Sequence, residues 1–165
     1  AASKESRAKS LVMIDVGPGV DFESTSGMRE FIGRPIADLT VEQLTDKALT
    51  VSPHGDRDRI LYRYLHMTHR LPDGTLAWRN DRRRPHDYPH ILAKLEELPH
   101  VASRITCPVL VVRGGRSRVL TDEKVASFAG LLPHGRWTVV PDAGHNVQED
   151  SPKVLAETVR QLLSP

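Results

Sequence analysis

Cysteine is almost missing from this sequence. Cys107 is the single one in 165 residues, so no internal disulfide can form, and a secreted, disulfide-framed domain is not indicated. Long apolar runs are missing too. The longest, Leu11 to Ile14 and Pro108 to Val112, fall far short of the roughly 20 residues that a membrane span requires. Aromatic residues make up only 5% of the chain, which leaves the core to Val, Leu, Ile and Ala. Charge of one sign is also lacking. Lys and Arg number 23 against 21 Asp and Glu, for a net charge of +2, and this balance argues against a dedicated nucleic-acid surface. Residues Ala1 to Ser10 are polar and basic, with no apolar segment after a charged start, so they do not read as a signal peptide. The expectation is a soluble cytoplasmic chain that binds neither nucleic acid nor membrane.

What is present fits a globular domain. Hydrophobic residues are 39% and charged residues 27%, outside the disordered range, and the length matches about one domain. No repeat or low-complexity tract occurs. The chain divides by character into 1–20, 21–102 and 103–165. In the first part, Leu11-Val12-Met13-Ile14 ends at Asp15 and Gly17-Pro18-Gly19, a pattern that predicts a strand buried on both faces or a short buried helix.

The middle part is helical in pattern and interrupted by prolines. Thr40 with Gln43 has the form of a capping box and predicts a helix from Val41 to about Thr50. Ile60, Leu61, Tyr64, Leu65 and Thr68 form one face of a second helix starting near Asp58. Asp73-Gly74 marks a turn, and Ile91, Leu92, Leu95 and Leu98 a third helix that Pro99 ends. In the last part we expect a strand from Ile105 to Val112, a helix from Val125 to Leu132 introduced by Thr121, a strand from Trp137 to Val140, and a helix after Ser151-Pro152. This alternation predicts an α/β fold, a short parallel sheet with right-handed crossovers and flanking helices.

The sharpest local feature is Asp142-Ala143-Gly144-His145-Asn146, directly after a predicted strand. A glycine beside a histidine there turns the backbone sharply and projects an imidazole from the carboxyl edge of the sheet, where ligands of open parallel sheets bind. Imidazole suits general acid–base work near neutral pH; the plainer alternative is an ordinary loop histidine. Other candidates are weaker. Cys107, between Thr106 and Pro108 with no nearby cation, reads as a buried inert thiol. The eight histidines show no His-Glu-x-x-His spacing or Cys/His cluster, although His66 and His69 would share a helix face. Arg79 and Arg82-Arg83-Arg84 beside Trp78 read as a solvated surface, with anion binding as the alternative. Arg113, Arg116 and Arg118 around Gly114-Gly115 would suit a phosphate, but no full Gly-x-Gly-x-x-Gly is present. No cofactor or metal is expected.

The Asp-Ala-Gly-His-Asn loop, following Pro-Val-Leu-Val-Val-Arg-Gly-Gly at 108–115, resembles the carboxyl-terminal part of the α/β-hydrolase fold. Leu11 to Pro18 is similar to the sixth strand of that family, and the helical middle to its lid. Ile60 to Arg83, with Leu71-Pro72-Asp73-Gly74 and Trp78-Arg79-Asn80-Asp81-Arg82-Arg83, resembles lids of bacterial members. The resemblance implies a partial α/β-hydrolase fold: family strands six to eight, flanking helices and an inserted helical lid over 21–102. It also implies hydrolase chemistry in which His145 is the general base that activates a nucleophile.

The family carries its nucleophile on a Gly-x-Ser-x-Gly elbow ahead of the sixth strand, and these 165 residues contain no such motif. Ser24-Thr25-Ser26-Gly27 lacks the first glycine. Family members commonly place the acid of the triad after the seventh strand, where this chain has Arg118, which cannot accept the imidazole N–H. Asp122 lies four residues on, where it also suits a helix start. Other members use an acid after the sixth strand, and Asp15 stands there; its alternative role is to satisfy backbone N–H groups of the Gly-Pro-Gly turn. The implied activity is cleavage of an ester, lactone or C–C bond of a small carbonyl substrate. The implied partner is the amino-terminal half of the hydrolase, adding its strands at the 11–14 edge. The competing expectation is a truncated, self-associating binding module in which two like chains pair those edges.

Overall fold

The computed structural model describes residues 7–21, 23–51, 53, 55–79 and 88–163. In chain order the elements are β1 (Leu11–Ile14), α1 (Ser26–Gly33), α2 (Val41–Val51), α3 (Arg57–Met67), β2 (Thr68–Arg70), β3 (Leu76–Trp78) and α4 (Tyr88–Val101). They continue with β4 (Val109–Gly114), α5 (Asp122–Gly130), β5 (Gly135–Val140), α6 (Val147–Asp150) and α7 (Pro152–Leu163). The chain forms two compact units, one of residues 1–24 and 87–165, the other of residues 25–86. The cluster Arg82-Arg83-Arg84, with Asp81, Asp87, His54 and His86, lies outside the described residues.

The first unit is built on a parallel sheet in the order β1-β4-β5. Leu11 pairs with Val109 and Ile14 with Val112, while Val109 faces Gly135 and Gly114 faces Val140. Side chains alternate across a strand, and here both faces are covered. Val109 and Val111 point into a core with Val125, Phe128 and Leu132, against which Leu11 and Met13 pack. Leu110, Val112 and Val140 point the other way, to Val147, Leu155 and Leu162, joined by Val12 and Ile14. Each valine buried in this way contributes roughly 1.5–3 kcal/mol.

Several boundaries differ from those read in the sequence. The strand expected from Ile105 begins instead at Val109, because Pro108 has no N–H to donate to a ladder; its carbonyl accepts the Leu11 N–H at 2.9 Å. Gly135 and Arg136 join the strand expected from Trp137. The helix expected from Val125 starts at Asp122, where the Thr121 hydroxyl accepts the Lys124 N–H. The helix expected to end at Pro99 runs through it to Val101, since a proline in the last turn removes one backbone bond without ending the helix. This α4 falls with the sheet unit, although the sequence grouped it with the middle part.

The second unit has its own core: Ile36, Leu44, Ala48, Ile60, Tyr64, Leu76 and Trp78. Both bonds of the capping box are made, from Gln43 N–H to Thr40 Oγ1 and from Thr40 N–H to Gln43 Oε1. The all-helical reading of this stretch missed a hairpin, in which β2 and β3 pair antiparallel with Thr68 opposite Trp78. Thr68 therefore does not extend the α3 face. Its backbone is extended, and its hydroxyl donates to the Tyr64 carbonyl, closing the helix. The turn needs Gly74, whose φ of 85° is left-handed and strained for other residues. His66 and His69 consequently sit on different elements.

Candidate active site

Both parts of the candidate site come from the carboxyl edge of the parallel sheet. Asp15 is the first residue past β1, and His145 lies in the loop between β5 and α6. The Asp15 N–H still donates to the Val112 carbonyl at 2.7 Å. The chain then turns through a φ of 49°, the one positive value on a non-glycine residue among those described. Aspartate tolerates this conformation better than most residues, and such strained backbone gathers at functional sites.

The Asp15 side chain is fully buried, and three donors converge on it. The Gly114 N–H reaches Oδ1 at 3.0 Å, the Ser117 hydroxyl reaches Oδ2 at 2.5 Å, and His145 Nδ1 lies 2.8 Å from the same Oδ2. A buried carboxylate, which only accepts hydrogen bonds, needs such a set of donors. With Nδ1–H donating to Asp15, the imidazole carries its lone pair on Nε2. The His145 side chain is 52% exposed, so a half-exposed ring is held at Nδ1 by a buried carboxylate. The backbone acceptor role left open for Asp15 is real in part, but its N–H partner belongs to β4 and not to the Gly17-Pro18-Gly19 turn.

The loop that carries His145 is tied down on both sides. Arg116 N–H donates to the Ala143 carbonyl at 2.9 Å, and Gly115 N–H to the Val140 carbonyl at 2.8 Å. Gly144 N–H donates to Asp150 Oδ2 at 2.7 Å. Asp122 is placed elsewhere. It opens α5, and its carboxylate meets the Arg113 guanidinium at 3.1 Å. The same guanidinium donates to the carbonyls of Leu120 and Ser117, and Arg116 pairs with Asp142. The N–H groups of residues 114–117 are all taken by internal acceptors, so this glycine turn offers no open cradle to a phosphate.

Sequence reasoning missed Ser117. It stands immediately before Arg118, the position matched to the common acid, and is one of two buried polar side chains near that edge, with Asp15. The available signal was a small hydroxyl residue in the loop where the family's acid would be. Cys107 is half-buried against the core. Among the described residues no group of three or more His, Cys, Asp or Glu is placed to hold a metal ion. No helix among them is long and apolar enough to cross a membrane.

A sequence model described as the alpha/beta hydrolase family matches residues 3–158. The chain belongs to the alpha/beta hydrolase family. Among curated proteins it is similar to the esterase Rv0045c of Mycobacterium tuberculosis, with 28% identity over 161 residues, which cover 93% of this chain and 52% of that one. The chain thus spans about half the length of the curated relative it matches. A refined structure of the same esterase matches with a TM-score of 0.72 over 94% of this chain and 54% of the other, at 28% identity. E-2-(acetamidomethylene)succinate hydrolase matches in fold, with a TM-score of 0.73 and 24% identity over 98% of this chain and 60% of the other. The expected family and its α/β fold therefore stand.

Proposed function

We propose that these residues are the lid and carboxyl-terminal portion of an α/β hydrolase that cleaves an ester, lactone or C–C bond of a small carbonyl substrate. The observation that carries this reading is the 2.8 Å contact between His145 Nδ1 and the buried Asp15 carboxylate. His145 is the general base, Asp15 is its acid partner, and Asp122 belongs to the Arg113 ion pair. The lid insertion lies within the helical middle, 21–102, of which residues 25–86 form a compact unit of their own. The nucleophile comes from the amino-terminal half of the hydrolase, which adds its strands along the 11–14 edge. Two facts support that assignment: these 165 residues contain no Gly-x-Ser-x-Gly, and they cover 52% of the esterase relative. No cofactor is needed.

In this chemistry the nucleophile's hydroxyl attacks the carbonyl carbon while its proton passes to His145 Nε2. The imidazolium is held by Asp15 and returns that proton to the leaving group as the tetrahedral intermediate collapses. Water then attacks the acyl intermediate by the same route, and the acid is released with the nucleophile regenerated. The name of the curated relative favours the ester among the three bonds.

The test combines a denaturing intact-mass spectrum of the purified protein with hydrolysis of a p-nitrophenyl ester before and after His145→Ala. A species above 18.4 kDa, or a second polypeptide carrying Gly-x-Ser-x-Gly, together with loss of hydrolysis in the variant, is the expected result. A single 18.4 kDa species that runs as a dimer in native size exclusion and has no esterase activity would instead establish the self-associating module. Hydrolysis that survives His145→Ala would remove His145 from the role of base.

A further inference from the structure

We infer that Ser117 is a positioning residue, which locks the rotation of the Asp15 carboxylate and through it the imidazole of His145. The inference rests on the reading of His145 as the base. Ser117 lies on a different strand end from both partners, in the turn after β4, and its side chain is almost completely buried. Its hydroxyl donates to Asp15 Oδ2, the oxygen that also takes His145 Nδ1. Its own oxygen accepts the Val119 N–H at 3.1 Å, which turns the hydroxyl proton away from Val119 and toward the carboxylate. Val119 N–H, the Ser117 hydroxyl and the Asp15 carboxylate form a directional chain in which one bond polarises the next, and the His145 Nδ1–H meets it from the other side on the same Oδ2.

Geometry explains why this donor matters. A carboxylate is held against rotation only when each oxygen has a fixed donor. Oδ1 has the Gly114 N–H, part of the sheet framework. On Oδ2 the other donor is His145, which is half-exposed and cannot fix the group that fixes it. Ser117 supplies the anchor on that side. Its own place is set by Arg113, whose guanidinium holds the Ser117 and Leu120 carbonyls. Without the hydroxyl, Asp15 would be anchored through one oxygen, and the imidazole would sample orientations in which Nε2 misses the nucleophile.

The test compares Ser117→Ala with Ser117→Thr, which keeps the hydroxyl, in the full chain together with the polypeptide that supplies the nucleophile. The first readout is the downfield proton resonance of His145 Nδ1–H, assigned by its loss in His145→Ala. The second is the split between kcat and KM on a p-nitrophenyl ester. In the Ala variant we expect the resonance to be lost to solvent exchange and kcat to fall about tenfold at unchanged KM, with both restored by Thr. A lowered unfolding midpoint, with the resonance and kcat intact, would make Ser117 a structural residue only and overturn the inference. Should the Ala variant fail to fold, Ser117→Cys, a weak donor of similar size, carries the same expectation. If hydrolysis persists in His145→Ala, the functional reading fails, and the resonance alone decides whether Ser117 positions the pair.

Discussion

A Cβ added to Gly114 would stand 2.0 Å from the carbonyl oxygen of Gly144. The end of β4 and the loop that carries His145 therefore touch backbone to backbone, with no space for even a methyl group. Gly114 also donates its N–H to Asp15. One residue thus sets the separation between the two strand ends that bring Asp15 and His145 together.

Gly114→Ala is expected to destabilise the fold by about 3 kcal/mol, because the atoms in the way are backbone and cannot rotate aside. Gly130→Ala is the matched control. Nothing lies within 4 Å of its added Cβ, and it has no left-handed φ, so a gain of about 0.5 kcal/mol is expected from the stiffer unfolded chain. Urea unfolding of both variants checks the pair, and equal midpoints would refute the close-approach argument.

Asp15→Asn is expected to lower kcat/KM on an ester by about 10³–10⁴-fold while the fold persists. Asparagine accepts the left-handed backbone and keeps an oxygen for the Gly114 N–H, but its amide cannot hold the imidazole in the same tautomer. Circular dichroism separates this from misfolding. A loss below tenfold would sink Asp15 as the acid partner.

Asp122→Asn makes the opposite expectation concrete. Its side chain is 62% exposed and faces Arg113, an arrangement worth at most about 1 kcal/mol. Arg113 keeps its three carbonyl partners, Leu120, Gly115 and Ser117, without it. Activity within twofold of the parent and a small change in unfolding midpoint are expected; a large loss of kcat would return Asp122 to the catalytic set.

The parts of this site that were legible in the sequence are those with local signatures. The apolar run 11–14 and the cap at Thr121 carry local signatures, and they form β1 and the start of α5; β1 is half-buried along its length rather than buried on both faces, and Gly144 has no left-handed φ. Asp15 was readable only as one of two carboxylates, since its link to His145 spans 130 positions and depends on which strands are neighbours. Ser117 was harder still. A hydroxyl in a loop carries no periodicity, and its importance arises from a partner 102 positions away. The hairpin at 68–78 failed for a different reason: two three-residue strands are too short to show alternation, and Thr68 also falls on the α3 spacing.

The second unit invites a test that leaves the Asp15–His145 pair alone. Leu44 and Ala48 of α2 are fully buried beside Ile60 and Tyr64, and Tyr64 packs edge-on against Trp78 with ring centroids 5.8 Å apart. The aliphatic side chains around that aromatic pair leave little room for relaxation, so Leu44→Ala should open a cavity and cost about 2–5 kcal/mol. Trp78 reports on it directly, because its indole is part of the same core. In a Trp137→Phe background, Leu44→Ala is expected to shift Trp78 emission to longer wavelength as water reaches the core. Emission and stability both unchanged would mean that the unit of residues 25–86 is not organised around Leu44.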